Sequence, residues 1–141
     1  MVRILKNRKL KAYIVAHSYV AWYEWVKGLL SKIYKAKIGK GPENDEELIR
    51  YLNGYPSLGI LNTEEWGIKA NQIRNCVAHE RFYYDYKYSE LVLIVERKEK
   101  RIRLREVELR LTSISYTYSK LLKFLREMIE KPNEYFTKYM L

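Results

Sequence analysis

From Lys9 to Lys37 the chain holds no proline and a single glycine, Gly28. Within that run Val15, Tyr19, Trp22, Val26, Leu29 and Ile33 recur at intervals of four and three residues. At about 100° per residue this spacing lays the apolar side chains along one side of a helix, so the run predicts one long amphipathic helix. Ile14, Ala21, Trp25 and Leu30 add apolar surface off that stripe. A helix apolar on more than one side is either deeply buried or lies against a second chain, which predicts a homodimer.

A second run of the same kind lies near the other end. Val107, Leu111, Ile114, Tyr118, Leu121, Leu125 and Met128 keep the four-three spacing, predicting a last helix from about Glu106 to Lys131 that Pro132 ends. Thr112, Ser113, Ser115 and Thr117 lower helix propensity there and would let the start slip to about Thr112. Asn133–Leu141 reads as a final amphipathic turn.

Between the two runs, Gly39, Gly41 and Pro42 break the chain, and Asn44 or Asp45 can cap a short helix through about Leu52. Asn53–Gly59 reads as a loop; no Gly-Lys-Ser/Thr follows it, so it is not a phosphate-binding P-loop. Asn62 with Glu65 resembles a capping box that starts a helix near Thr63 and carries it to about Arg81. Leu91–Val95 is apolar, Glu96–Lys100 turns, and Arg101–Arg105 alternates, which reads as a β-hairpin with one basic face. The predicted fold is all-α: an up-and-down bundle of about four helices, with a small hairpin inserted before the last long one. Residues 1–141 read as a single domain.

Lys and Arg number 27 against 17 Asp and Glu, a formal net charge of +10. That excess favours an anionic partner, with nucleic acid foremost. Cys76 is the only cysteine, so there is neither a disulfide framework nor a cysteine cluster for a metal, and a reducing, cytoplasmic setting fits. Cys76 itself reads as packing. The basic Met1–Lys11 stretch before apolar Ala12–Val26 mimics a signal peptide, but His17, Ser18 and Glu24 interrupt it and also exclude an ordinary membrane span.

The residues with chemistry sit in Asn71–Arg81. On a helix Asn75 and His79 stack four apart, and Arg74 lies about 100° from Asn75, so a cation, an amide and an imidazole share one side. Trp66, Ala70, Ile73 and Val77 form a stripe on the opposite side that would anchor the helix in a core. Such a trio suits a phosphodiester whose nucleophile is the neighbouring 2′-OH of RNA. His79 can move a proton near neutrality, since an unperturbed imidazole titrates at about 6.5. Arg74 can balance charge on the phosphorane, and Asn75 can orient His79 or donate to a phosphate oxygen. No metal and no cofactor is expected. His17 reads as a satisfied packing histidine.

Arg74-Asn75-Cys76-Val77-Ala78-His79 resembles the R-N-x-x-x-H signature of HEPN domains, with the aliphatic Ile73 before the Arg and the small Ala78 before the His also typical. The resemblance implies a metal-independent endoribonuclease cutting single-stranded RNA, as the toxin or effector half of a defence or toxin–antitoxin system. It also implies two protomers sharing one cleft, and a possible nucleotidyltransferase-type antitoxin partner. Some such toxins carry Tyr two residues after the His; here Arg81 stands there, with Tyr83 and Tyr84 close by. Arg81, Tyr83 and Tyr84 are candidate substrate contacts. The Phe82–Tyr88 segment offers stacking surfaces or pins a loop by aromatic packing. Arg101, Arg103 and Arg105 complete the candidate RNA surface, the alternative being a solvated edge. Two other classes remain: a non-catalytic helical module binding nucleotide or a partner, and a dimeric nucleic-acid-binding regulator. The Arg–His pair weighs against the first, and the lack of a helix-turn-helix pattern against the second.

Overall fold

The computed structural model describes residues 2–52, 64–65 and 67–130. The Asn53–Gly59 loop, Asn62 of the expected capping box, Trp66 and the Asn133–Leu141 turn lie outside the described residues. Among the described residues four helices and five strands follow in the order α1 (Val2–Ile38), α2 (Asp45–Leu52), β1 (Glu64–Glu65), β2 (Ile68–Lys69), α3 (Ala70–Ala78), β3 (Phe82–Asp85), β4 (Glu90–Val95), β5 (Lys98–Arg103) and α4 (Leu104–Glu130).

The fold is a mixture of α and β, which corrects the expectation of an all-α, up-and-down bundle. Strands β3, β4 and β5 form an antiparallel sheet in that spatial order. Phe82 pairs with Leu93, Tyr84 with Leu91, and Leu91 in turn with Ile102. Because strand side chains alternate, Phe82, Leu91, Leu93 and Ile102 all point to one face, and all four join the buried core. The sheet is therefore a layer of the core, not an appendage between helices.

The long helices also run the wrong way for an up-and-down bundle. Lys11 of α1 pairs with Glu108 of α4 at 3.3 Å, and Trp22 meets Tyr118 with ring centroids 5.2 Å apart. Contacts that advance together along both helices make α1 and α4 parallel. Helix α3 supplies the return path: Arg74 meets Glu24 and Phe82 meets Tyr13, so the chain runs back along α1 before the sheet leads into α4 beside Lys11.

Helix α1 buries Ala12, Val15, Ala16, Tyr19, Tyr23, Val26, Leu30, Ile33 and Tyr34, so the four-three stripe holds but is centred beside the one expected. Trp22 and Leu29 are half-buried, whereas Ile14 and Trp25 are more than half exposed. Helix α4 buries Val107, Ile114 and Leu121 as its spacing predicts. Asn44 caps α2, its Oδ1 accepting the Glu47 N–H at 2.8 Å.

The helix that carries the motif is shorter than expected. It starts at Ala70 and not near Thr63, because β1 and β2 pair through a tight turn in which Gly67 takes φ +72°. Its first turn is closed by Gln72, whose Oε1 accepts the Lys69 N–H at 3.0 Å. Ala70, Ile73 and Val77 are fully buried, the three described members of the expected stripe. Arg110, a buried cation on α4, donates from Nη1 to the Ile68 carbonyl at 3.2 Å and so ties α4 to the strand that leads into α3. Among the described residues no helix is long and apolar enough to cross a membrane.

Candidate functional site

Helix α3 packs against α1 with its buried side and leaves Asn75 and His79 exposed and Arg74 half-buried. Arg74 does not project freely. Its Nε donates to Glu24 Oε1 on α1 at 2.5 Å, and its Nη1 donates to Asn75 Oδ1 at 2.8 Å. A guanidinium held at two of its nitrogens is fixed in orientation. Its Nη2 has no hydrogen-bond partner among the described residues.

Glu24 is the residue that sequence reasoning missed. It also holds Lys27 at 3.3 Å, one turn along α1. Burial pushes its carboxyl up, but the hydrogen bond from Arg74 and the positive charges of Lys27 and Arg74 outweigh this and hold it below the ordinary carboxylate range. It is the only carboxylate before Glu43, in a stretch otherwise basic or apolar. That isolation is a signal the sequence carried.

Of the two roles expected of Asn75, orienting His79 is not seen. Its Oδ1 accepts from Arg74, which turns its amide N–H groups outward as donors, and its side chain makes no bond to His79. His79 is the C-cap of α3, with φ −98° and ψ 11°, so it lies at the helix end and not within it. The turn beyond closes in a Schellman motif: Glu80 N–H reaches the Val77 carbonyl at 3.2 Å, and Arg81 N–H the Cys76 carbonyl at 2.7 Å. The left-handed residue that this motif needs is Glu80, at φ 55°, where glycine is the usual choice. The closure fixes the His79 backbone while its imidazole stays in solvent, without a hydrogen-bond partner among the described residues.

Cys76 packs inward, as expected, with its Sγ 3.5 Å from the Ile94 carbonyl, and burial raises its thiol. His17 differs from expectation. It is exposed on α1, stacked on Tyr13 at 6.4 Å and edge-on to Phe82 at 6.1 Å, with no polar partner among the described residues.

The candidate substrate contacts do not form one surface. Arg81 is exposed in the turn after His79 and stays with the motif. Tyr83 and Tyr84 are adjacent in a strand and so face opposite ways. Tyr83 lies on the outer face, donating to Glu99 Oε1 at 3.1 Å, and Tyr84 packs on the core with its hydroxyl 3.3 Å from Ser89 Oγ. The hairpin has no single basic face. Arg101 lies 2.9 Å from Asp85, 3.3 Å from Glu90 and 3.6 Å from Glu99, its charge balanced three times over. Those carboxylates come from all three strands, and the hydrogen bond from Arg101 in turn holds Asp85 below its ordinary range. Lys100 points to the other face and donates to the Gly67 carbonyl at 3.0 Å. Arg103 is exposed and makes no ion pair among the described residues. Arg105 belongs to α4, not to the hairpin. It lines an open groove of about 510 Å³ with Lys11, Ser89, Glu108 and Thr112, on the α4 side of α1 and away from the α3 side that holds Arg74.

Among the described residues no three His, Cys, Asp or Glu gather as a metal-ligand set. The chain matches no family model, no curated protein and no solved structure with which it was compared.

Proposed function

We propose that the protein is a metal-independent endoribonuclease of HEPN type that cuts single-stranded RNA by attack of the 2′-OH on the adjacent phosphate. The observation that carries this reading is the guanidinium of Arg74, clamped by Glu24 and Asn75 on the helix whose end holds a solvent-facing His79. Such a clamp presents a fixed positive edge, the kind of preorganised charge that stabilises a phosphorane without reorganising at the moment of reaction. The amide of Asn75 donates to a second phosphate oxygen. His79 exchanges the proton of the 2′-OH or of the leaving 5′-oxygen. Arg81, two residues past His79, contacts the neighbouring phosphate, and the net charge of +10 draws RNA to the surface.

In this reading the protein works in the cytoplasm as the toxin or effector half of a defence or toxin–antitoxin system, with a nucleotidyltransferase-type antitoxin as its candidate partner. It acts as a homodimer, joined through the exposed apolar face of α1 that carries Leu10, Ile14 and Trp25. The test is a pair of variants. His79→Ala and Arg74→Ala should each lower cleavage roughly 10²–10⁴-fold while circular dichroism and melting stay as in the wild type. Cleavage at the wild-type rate by both variants would overturn the reading.

A further inference from the structure

We propose that the outer face of α4, from Arg105 to Lys123, is a second binding surface that holds single-stranded RNA at a distance from the cut. The inference rests on the ribonuclease reading for its ligand, and adds to that reading a seat for the uncut part of the strand.

The face follows from the helical repeat. Val107, Ile114 and Leu121 turn inward and are buried. Arg105, Leu109, Thr112, Tyr116, Lys120 and Lys123 recur at intervals of four and three on the opposite side, and all six are exposed. From Arg105 to Lys123 they cover roughly 27 Å of helix.

Charge selects the class of partner. Every exposed charged residue from Arg105 to Arg126 is basic: Arg105, Lys120, Lys123 and Arg126. None of the four makes an ion pair among the described residues. Glu106 and Glu108 are half-buried, and Glu108 already pairs with Lys11 at 3.3 Å. A second copy presenting the same face would meet like charge, so the surface suits a polyanion and not self-association.

Tyr116 narrows the polyanion to a nucleic-acid strand. Its ring is 62% exposed. Its neighbours one turn away are Thr112, Ser113, Ser119 and Lys120, three of them small. Lys120 Nζ lies over the ring, 4.6 Å from its centroid, and covers one face. The short side chains leave the other face open, a platform on which an unpaired base can stack. Lys120 and Lys123 then stand beside the flanking phosphates. At the opposite end Arg105 lines the open groove of about 510 Å³ with Lys11 and Ser89, where it meets a further phosphate. An anionic membrane would call for a continuous apolar stripe, and Leu109 is the only aliphatic residue among the six.

The surface lies on the α4 side of α1, whereas Arg74 lies on the α3 side, so it takes no part in the cut. Two contacts on one strand reinforce each other once the strand is long enough to reach both. Long RNA should therefore bind far better than short RNA.

The test uses full-length protein with a pentanucleotide RNA and an RNA of about 20 nucleotides, reading binding by fluorescence anisotropy and cleavage by steady-state kinetics. Arg105→Ser, Lys120→Ser and Lys123→Ser combined should flatten the log–log salt slope for the long RNA by roughly 2, at about 0.7 for each phosphate contact. Tyr116→Ala leaves the net charge unchanged and should raise Kd for the long RNA about 5-fold or more, while Tyr116→Phe keeps the stacking face and should bind as the wild type. The triple variant and Tyr116→Ala should both raise KM for the long RNA, with kcat and all pentanucleotide constants unchanged. If the variants bind long RNA as the wild type does, the surface is overturned and the ribonuclease reading stands. If the cations matter and Tyr116→Ala does not, the face is a general attractor of anions and the strand-binding proposal is overturned. A fall in kcat on the pentanucleotide would place the face within the cutting site and overturn it as well. Loss of binding to phosphatidylserine vesicles with RNA binding intact would make the face a membrane contact instead. If the wild type cuts no RNA while the variants still lose long-RNA binding, the ribonuclease reading fails and the binding surface stands.

Discussion

Replacing Glu24 by Ala removes the group that fixes Arg74, and the two consequences differ in size. Glu24 accepts Arg74 Nε at 2.5 Å and Lys27 Nζ at 3.3 Å. The Arg74 and Glu24 side chains are 26% and 37% exposed, so solvent screens the pair. Its contribution to stability is then near that of a surface ion pair, about 0.5–1 kcal/mol, and melting should fall by only a few degrees. Activity should fall further. Without its Nε anchor the guanidinium keeps only the Asn75 bond and can swing away from the phosphate. A displacement of about 1 Å at a reacting centre costs on the order of 10²-fold in rate. Steady-state cleavage should therefore show kcat down roughly 10–10²-fold for Glu24→Ala, with KM nearly constant. Glu24→Gln keeps an acceptor oxygen and should lie between. The pH dependence has a fixed sign. The folded carboxyl of Glu24 is held below its ordinary value, so its stabilisation is present above the unfolded pKa of about 4.3 and disappears as pH falls through the lower folded value. The melting difference between wild type and Glu24→Ala should thus be constant near neutrality and shrink in acid below about pH 4. A Glu24→Ala protein that is folded and cuts at the wild-type kcat would refute the positioning argument.

Three further outcomes follow from the same geometry. Glu80 pays the left-handed cost at φ 55°, so Glu80→Gly should raise stability by about 0.5–1 kcal/mol in urea denaturation, and a loss would deny the Schellman closure. Arg103→Ser and Arg105→Ser should each flatten the log–log salt slope of single-stranded RNA binding by roughly 0.7, whereas Arg101→Ser, its charge already balanced by Asp85, Glu90 and Glu99, should leave it unchanged. An equal effect of all three would show that the carboxylates do not neutralise Arg101. Light scattering at micromolar concentration should give about twice 17.1 kDa, and Trp25→Ser with Ile14→Ser should move it toward one chain. A monomer in the wild type would remove the shared α1 face.

The periodic parts of the fold were legible and the pairings were not. Val15, Tyr19 and Val26 mark the buried side of α1, and Val107, Ile114 and Leu121 that of α4, because burial along a helix repeats locally. Strand β3 is hidden because Phe82, Tyr83 and Tyr84 are aromatic at inward and outward positions alike, so no apolar–polar alternation shows. The β4–β5 hairpin was legible, but its turn is two residues, Glu96 and Arg97 at positive φ of 52° and 66°, and without the Asn-Gly that marks such a turn it read as the longer Glu96–Lys100. With β3 unread, a three-stranded layer looked like one small hairpin, and two parallel helices looked like neighbours in an up-and-down bundle. The site divides the same way. Arg74, Asn75 and His79 are near in sequence and could be read together. Glu24, fifty residues before Arg74, and the carboxylates around Arg101 reach their partners only through the tertiary fold.

The chemistry of the cut ends tests the central claim most directly. Single-stranded RNA incubated with the wild-type protein in EDTA, then analysed by mass spectrometry, should yield fragments ending in 2′,3′-cyclic phosphate and beginning with 5′-hydroxyl. The same sequence as DNA, which lacks the internal nucleophile, should be bound and left intact. Fragments with 5′-phosphate ends, cleavage abolished by EDTA, or cutting of the DNA would contradict 2′-OH attack and the roles assigned to Arg74 and His79.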